Sequence, residues 1–336
     1  MSEKPIIAIL LGDAAGVGPE LAAKCAVSNF YNEYCRPVMI GDLRIFKRAL
    51  DVIGATDTIN IQIIENITEA DWNKGLPFFD QKDINPANHP FSVMSAASGK
   101  ACLDMMDLGV QLWQEGQIGG FVFGPFNKVA LHDGGCNFES EHHYLANLLG
   151  HTEPFGEINV TNGLYTTRTT SHIPLKDVSD HITLESIGRA IRLSYKTLTN
   201  AGITDPIIGV AALNPHCGED GQCGREEIDV ITPAVEAAQK QGINAKGPYS
   251  SDIVFHKALV NKEFNSVVTM YHDQGQIALK LIGFDGGITV AGGFDIPIVT
   301  CGHGTAYDIA GTGVVNTASF ENAIKQCSQM ASASQK

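Results

Sequence analysis

Ile6-Ile-Ala-Ile-Leu-Leu11 runs directly into Gly12-Asp-Ala-Ala-Gly16-Val-Gly18-Pro19-Glu20. An unbroken apolar run of this length is that of a strand buried on both faces. The glycines behind it give a tight turn, and Pro19 suits the first turn of a helix, where its missing N–H has no partner to lose. Glu20 follows where the helix macrodipole favours an acid. The stretch reads as a strand, a turn and a helix. Such a turn can receive a dinucleotide, which would make Gly12, Asp13, Gly16 and Gly18 cofactor contacts. It does not match G-x-G-x-x-G, and a ligand-free βα turn explains it equally well.

The same alternation continues outward. Val38–Ile40, Gly120–Phe123, Ile207–Ala212, Ser266–Met270 and Ile296–Thr300 are apolar almost throughout and read as further buried strands. Between them, Met94–Glu115, Ser186–Thr199 and Ile228–Gln241 carry helical patterns, the last with Ile228, Ile231, Val235 and Ala238 at spacings of three and four. Strand–helix alternation predicts an α/β fold with a largely parallel sheet. With 336 residues, two lobes are expected. No Gly/Ser linker separates them, so chain segments must cross between lobes.

The net charge of −14 repels a phosphate backbone, so neither nucleic acid nor an anionic membrane surface is an expected partner. No stretch of 18 apolar residues spans a membrane. The N-terminal apolar run lacks a small-residue cleavage site and carries Glu3. The eight cysteines include no C-x-x-C pair, which fits reduced thiols. Together these predict a cytoplasmic protein.

Three later loops each place a histidine just past a strand: Thr170-Ser-His172-Ile-Pro-Leu175, Leu213-Asn-Pro-His216-Cys-Gly-Glu219 and Met270-Tyr-His272-Asp-Gln-Gly275. Open α/β sheets bind ligands beyond the carboxyl ends of their strands. Three imidazoles converging there would hold a divalent metal and leave positions open for substrate. A loop histidine is also a common cap or hydrogen-bond partner, and no short metal-binding spacing is present. His142-His143 is a poorer ligand pair, because adjacent helix residues point apart.

These loops, in this order, resemble the 4-hydroxythreonine-4-phosphate dehydrogenase family of the vitamin B6 pathway. The resemblance takes in Gly12–Glu20, Gly124-Pro-Phe-Asn-Lys128, the His172 loop, Asn214–Glu219 with Gly224-Arg-Glu-Glu-Ile228, Gly247-Pro248 with Asp252, Tyr271–Lys280, and His303-Gly-Thr-Ala-Tyr-Asp-Ile-Ala-Gly311. Gly-Val-Gly-Pro-Glu and His-Gly-Thr-Ala-x-Asp-Ile-Ala-Gly also resemble the isopropylmalate and isocitrate dehydrogenases. The implied fold is therefore theirs: a two-lobed α/β/α sandwich with the active site in the cleft. The expected lobes are residues 1–130 plus 285–336 on the cofactor side and 131–284 for dimerisation and metal binding.

The resemblance implies an NAD- and metal-dependent dehydrogenase that oxidises the secondary alcohol of a hydroxy acid, with decarboxylation of the β-keto product. It implies a homodimer with a shared active site, in which His172, His216 and His272 bind the metal and one ligand comes from a second subunit. Zn, Mn, Co, Ni and Fe suit three imidazoles, and Mg suits them less. Lys280 and Asp252 are the implied catalytic pair, the lysine stabilising an alkoxide or enolate and the carboxylate relaying a proton. His303, Gly304, Thr305, Ala306 and Asp308 fall where the family wraps the adenosine end of the cofactor. Lys128, Lys280, Glu141, His142, Thr289 and Ile298 fall at substrate positions.

At those substrate positions the chain departs from the phosphate-handling members. Ser140-Glu141-His142-His143 replaces their Gly-His-Thr-Glu, Thr289 replaces an asparagine, and Ile298 replaces an arginine. An acid facing a phosphate at about 4 Å costs a few kcal/mol in a partly buried site, and losing a bidentate guanidinium is not a mild change. The Gly302-His303-Gly304 form resembles relatives that oxidise carboxylated cyclic dihydrodiols. A non-phosphorylated carboxylate is therefore an alternative substrate. A ligand-binding member without turnover is an alternative of another class.

Overall fold

The computed structural model describes residues 3–334. They divide into two compact units, residues 3–152 with 296–334, and residues 153–295. The first boundary differs from the expected 130/131 because the helices Lys128–Asp133 and Glu141–Leu149 both pack on the long helix Ala96–Gln114. The second differs from 284/285 because the strand Ile288–Gly292 pairs with Gly156–Thr161 inside the second unit.

The first unit contains β1 (Ile6–Leu10), β2 (Arg36–Gly41), β3 (Ile61–Ile63), β4 (Leu76–Asp80) and β5 (Gly120–Phe123). The second contributes β6 (Gly156–Thr161), β7 (Leu164–Arg168), β8 (Ile208–Ala211), β9 (Ala245–Tyr249), β10 (Ser266–Thr269) and β11 (Ile288–Gly292). The chain returns to the first unit with β12 (Ile298–Cys301). There the order is β3-β4-β2-β1-β5-β12, parallel throughout, with Ile7 opposite both Pro37 and Gly120. A central parallel strand is apolar on both faces, and β1 is buried from Ile7 to Leu10. Phe46, Phe78, Phe121 and Phe320 are fully buried in this unit.

In the second unit the order is β11-β6-β7-β10-β8-β9. β6 runs antiparallel to both β7 and β11, whereas β7, β10, β8 and β9 are parallel. Leu164, Ala211, Val254, Phe255, Ala258, Phe264 and Val267 form one of its cores. The expected α/β architecture is present, with this antiparallel departure.

The helix Gly18–Val27 begins as the sequence predicts, with proline in its first turn and Glu20 behind it. The predicted helix Ile228–Gln241 instead starts as a π-helical turn, Glu227–Ile231, and becomes α-helical only at Thr232–Lys240. All eight cysteines are free thiols, and no described helix is long and apolar enough to cross a membrane.

Candidate functional site

His172, His216 and His272 all belong to the second unit and follow β7, β8 and β10. The His172 and His272 rings stand 5.5 Å apart, centre to centre, tilted by 43°. Two imidazoles on one tetrahedral ion, with metal–nitrogen bonds of ~2.1 Å, would place their centres roughly 5 Å apart. The observed spacing is close to that value.

His272 Nδ1 lies 2.7 Å from Asp273 Oδ1, and His216 Nδ1 lies 2.8 Å from Glu219 Oε1. A carboxylate on Nδ1 fixes the tautomer that leaves Nε2 to coordinate, the usual arrangement around metal-binding histidines. The hydrogen bond that His216 Nδ1 donates to Glu219, together with the carboxylate's charge, raises the His216 pKa, and the same contact lowers that of Glu219. Among the described residues, no group of three or more His, Cys, Asp or Glu is close enough to hold a metal ion. One chain therefore brings two of the predicted ligands together and leaves His216 apart.

His216 sits on unusual backbone. From His216 to Asp220, φ is 49°, 58°, 80°, 46° and 55°, a complete left-handed turn in which only Gly218 is glycine. Each non-glycine residue in that conformation costs about 1–2 kcal/mol. The opposing support is Glu227, itself buried, whose Oε1 accepts from the amides of Leu213 (2.8 Å) and Asn214 (2.7 Å). Its Oε2 accepts from Asn214 Nδ2 at 3.0 Å. At Gly218 a Cβ would stand 2.7 Å from the Gly224 carbonyl oxygen, so only glycine closes the turn.

Asp252 lies in the first turn of the helix Ser251–Leu259 and accepts from Ser250 Oγ at 2.6 Å, exposed and close enough to His216 to act on its charge. Lys280 is exposed on the helix His272–Gly283, with Nζ 5.8 Å from the centre of the Phe284 ring. Thr289, on β11, accepts from Asn159 Nδ2 at 3.2 Å. Behind Thr289 lies a network that sequence reasoning missed. Arg168 donates to Asn159 Oδ1 (2.9 Å), Glu157 Oε2 (2.5 Å) and Ser171 Oγ (3.0 Å), and Gln276 donates to Asn159 Oδ1 (2.6 Å). It ties the residue before His172 to the helix that carries His272. Its sequence signal is an arginine ending a β-strand, too common to stand out.

The remaining predicted residues belong to the first unit. Gly12, Asp13, Gly16 and Gly18 are all buried. His303, Gly304 and Asp308 are exposed, with Thr305 and Ala306 half-buried between them. Lys128 is exposed at the start of its helix. Glu141 and His142 open the helix Glu141–Leu149 with their side chains mostly covered, and a buried Glu141 Oε2 has no hydrogen-bond partner among the described residues. Ile298 has no exposed surface and pairs with Phe121 across β5 and β12, so the structure places it in the core.

The family model for the pyridoxal phosphate biosynthetic protein PdxA matches residues 33–327. The chain belongs to the PdxA family. Among PdxA relatives, a Pseudomonas aeruginosa protein provisionally named 4-hydroxythreonine-4-phosphate dehydrogenase 2 is 41% identical, covering 97% of each chain. An Oceanobacillus iheyensis protein provisionally named D-threonate 4-phosphate dehydrogenase is 35% identical, covering 98% of this chain and 99% of that one. The crystal structure of a 4-hydroxythreonine-4-phosphate dehydrogenase from Burkholderia phymatum matches with a TM-score of 0.85 at 36% identity, covering 98% and 99% of the two chains. As a member of the PdxA family the chain is a dehydrogenase, an oxidoreductase acting on a CH–OH group.

Proposed function

We propose that the chain is an NAD- and divalent-metal-dependent dehydrogenase of a phosphorylated hydroxy acid, of the 4-hydroxythreonine-4-phosphate or D-threonate 4-phosphate type. The observation that carries the metal reading is the His172–His272 pair, with Nδ1 of His272 locked by Asp273. When bound, the ion supplies Lewis acidity that lowers the pKa of the substrate alcohol, and the nicotinamide supplies the hydride acceptor. The chain's own groups do the rest. Lys280 holds negative charge developing on the substrate oxygen, and its ammonium serves equally if carbon dioxide leaves the β-keto product. Asp252 takes up the alcohol proton. Exposed Gly304, with open space around it, admits the cofactor's adenosine end.

Completion of the histidine set falls to a second copy of the chain. The helix that begins at His272 carries Ile277 and Leu281, with Phe284 as the residue capping its end, at spacings of four and three and exposed by 61%, 84% and 75%. Three large apolar side chains in one stripe call for a covering partner, and a homodimer through this helix brings two sets of site residues together.

A second reading is a non-phosphorylated acid. It is favoured by Glu141, whose buried, donor-less oxygen would meet a substrate hydroxyl well and a phosphate badly.

NADH formation, measured with the phosphorylated acids and their dephosphorylated forms, tests both. His216→Ala is expected to lose bound metal and nearly all turnover while remaining folded. Full activity of that variant after dialysis against EDTA overturns the metal reading. A specificity constant at least a hundredfold higher for a dephosphorylated acid, ~2.7 kcal/mol, overturns the phosphorylated one.

A further inference from the structure

We propose that Asp13, on the buried turn after β1, and Glu20, in the first turn of the helix behind it, are positioning residues that hold the segment 303–313 in the shape that receives the cofactor. This rests on the reading of that segment as the cofactor's.

Both carboxylates have no exposed surface. Burying a charge is costly unless its oxygens are satisfied, and here three of the five donors come from the segment 303–313. Glu20 Oε1 accepts from the amide of Gly311 at 2.6 Å and Oε2 from the amide of Gly313 at 2.9 Å. Asp13 Oδ2 accepts from the Tyr307 hydroxyl at 2.5 Å. Asp13 Oδ1 accepts from Ser98 Oγ (2.6 Å) and from the Ala15 amide (2.9 Å), which fixes the carboxylate itself. Between the two acids, the Val17 amide donates to the Thr305 carbonyl at 3.0 Å, and a Cβ at Gly16 would stand 2.9 Å from the same oxygen. Thr305 and Tyr307 are thus held from the turn, and Gly311 and Gly313 from the first turn of the helix behind it.

The segment needs holding. Ala306 sits at φ 44°, left-handed backbone that an alanine does not choose for itself. The adjoining Tyr307 carbonyl accepts from Ser92 Oγ. Arg48 supplies the nearby positive charge: it donates to the Ala14 and His89 carbonyls and covers the Phe91 ring at 4.1 Å, and its charge acts on Glu20. On this reading the glycine-rich turn and the helix start behind it are the inner brace of the exposed segment that meets the ligand.

Glu20→Gln tests this, because glutamine offers one acceptor where two amides now donate. The expected result is a KM for NAD raised about tenfold with kcat within about twofold, a matching loss in NADH affinity by fluorescence titration, and faster amide exchange confined to residues 303–313. Tyr307→Phe, which removes one hydroxyl, is the second variant in case Glu20→Gln does not fold. It should move the same three readouts in the same direction. Unchanged KM and exchange in these variants, or exchange rising evenly through the unit with kcat falling alongside, overturns the proposal. Gly304→Val, which fills open space, separates the two levels. If it raises the KM for NAD and the bracing variants do not, only the brace fails. If it leaves KM unchanged, the segment is not the cofactor's and the proposal falls with that reading.

Discussion

At the scale of the residue, the strongest statements concern buried acids. Glu227→Ala strips the amides of Leu213 and Asn214 of their acceptor and leaves Asn214 Nδ2 with only Glu226 Oε2 of its two. A cost of about 2–4 kcal/mol in thermal or denaturant unfolding is expected. The left-handed turn that carries His216 should loosen with it, so metal affinity is expected to fall although no ligand is changed. Metal content after gel filtration checks this, and an unchanged content would show that the turn holds its shape unaided. Asp42 gives the pH dependence. Burial pushes its carboxyl up, but Arg44 and the amides of Ile84 and Arg44 outweigh it and hold the group below its usual range. A depressed folded pKa means the stabilisation is complete above the unfolded value of about 3.9 and is lost as pH falls through the folded one. Asp42→Asn should therefore cost about 2 kcal/mol at neutral pH, and the gap to the parent should close in acid. A gap independent of pH would assign the loss to packing. None of these roles was legible beforehand, because a sequence shows that an acid is present and not which amides point at it.

At the scale of the element, legibility followed chemistry. β1, β5 and the strands at Ile208 and Ser266 are buried on both sides and announce themselves as apolar runs. β6 and β7 read Gly-Glu-Ile-Asn-Val-Thr and Leu-Tyr-Thr-Thr-Arg, with polar side chains engaged in the Arg168 network, and no apolar run marks them. The antiparallel pairing of β6 was hidden for the same reason. The helix His272–Gly283 carries no clear sequence signal, because its apolar stripe faces outward and not towards a core. Leu281→Arg puts a charge in the centre of that stripe. The variant is expected to be monomeric by light scattering, to melt near the parent, and to lose both bound metal and activity. A dimeric Leu281→Arg with full activity would place the subunit contact elsewhere.

At the scale of the whole molecule, the α/β class was legible from strand–helix alternation and the two lobes from the chain's length. Where each unit ends was not, because that depends on which helix packs on which. The charge was legible too, and it has a consequence for catalysis. The chain carries −14, and a phosphorylated hydroxy acid brings about −1.5 to −2 on its phosphate besides its carboxylate. At about 0.01 M salt the Debye length is ~30 Å, so an approaching substrate meets most of the molecule's field. At about 0.15 M it shrinks to ~8 Å, and only the groups lining the site remain in range. In the proposed reading, the exposed Lys280 is the cation that acts at that short range. The long-range repulsion should thus be screened while the local attraction survives. The specificity constant for the phosphorylated acid is expected to rise several-fold across that interval, with a shallower rise for its dephosphorylated form, which carries less charge. Steady-state kinetics at fixed metal and NAD, with sodium chloride varied, provide the check. A specificity constant that falls with salt would show that the cations at the site, and not the field of the whole chain, govern how the substrate arrives.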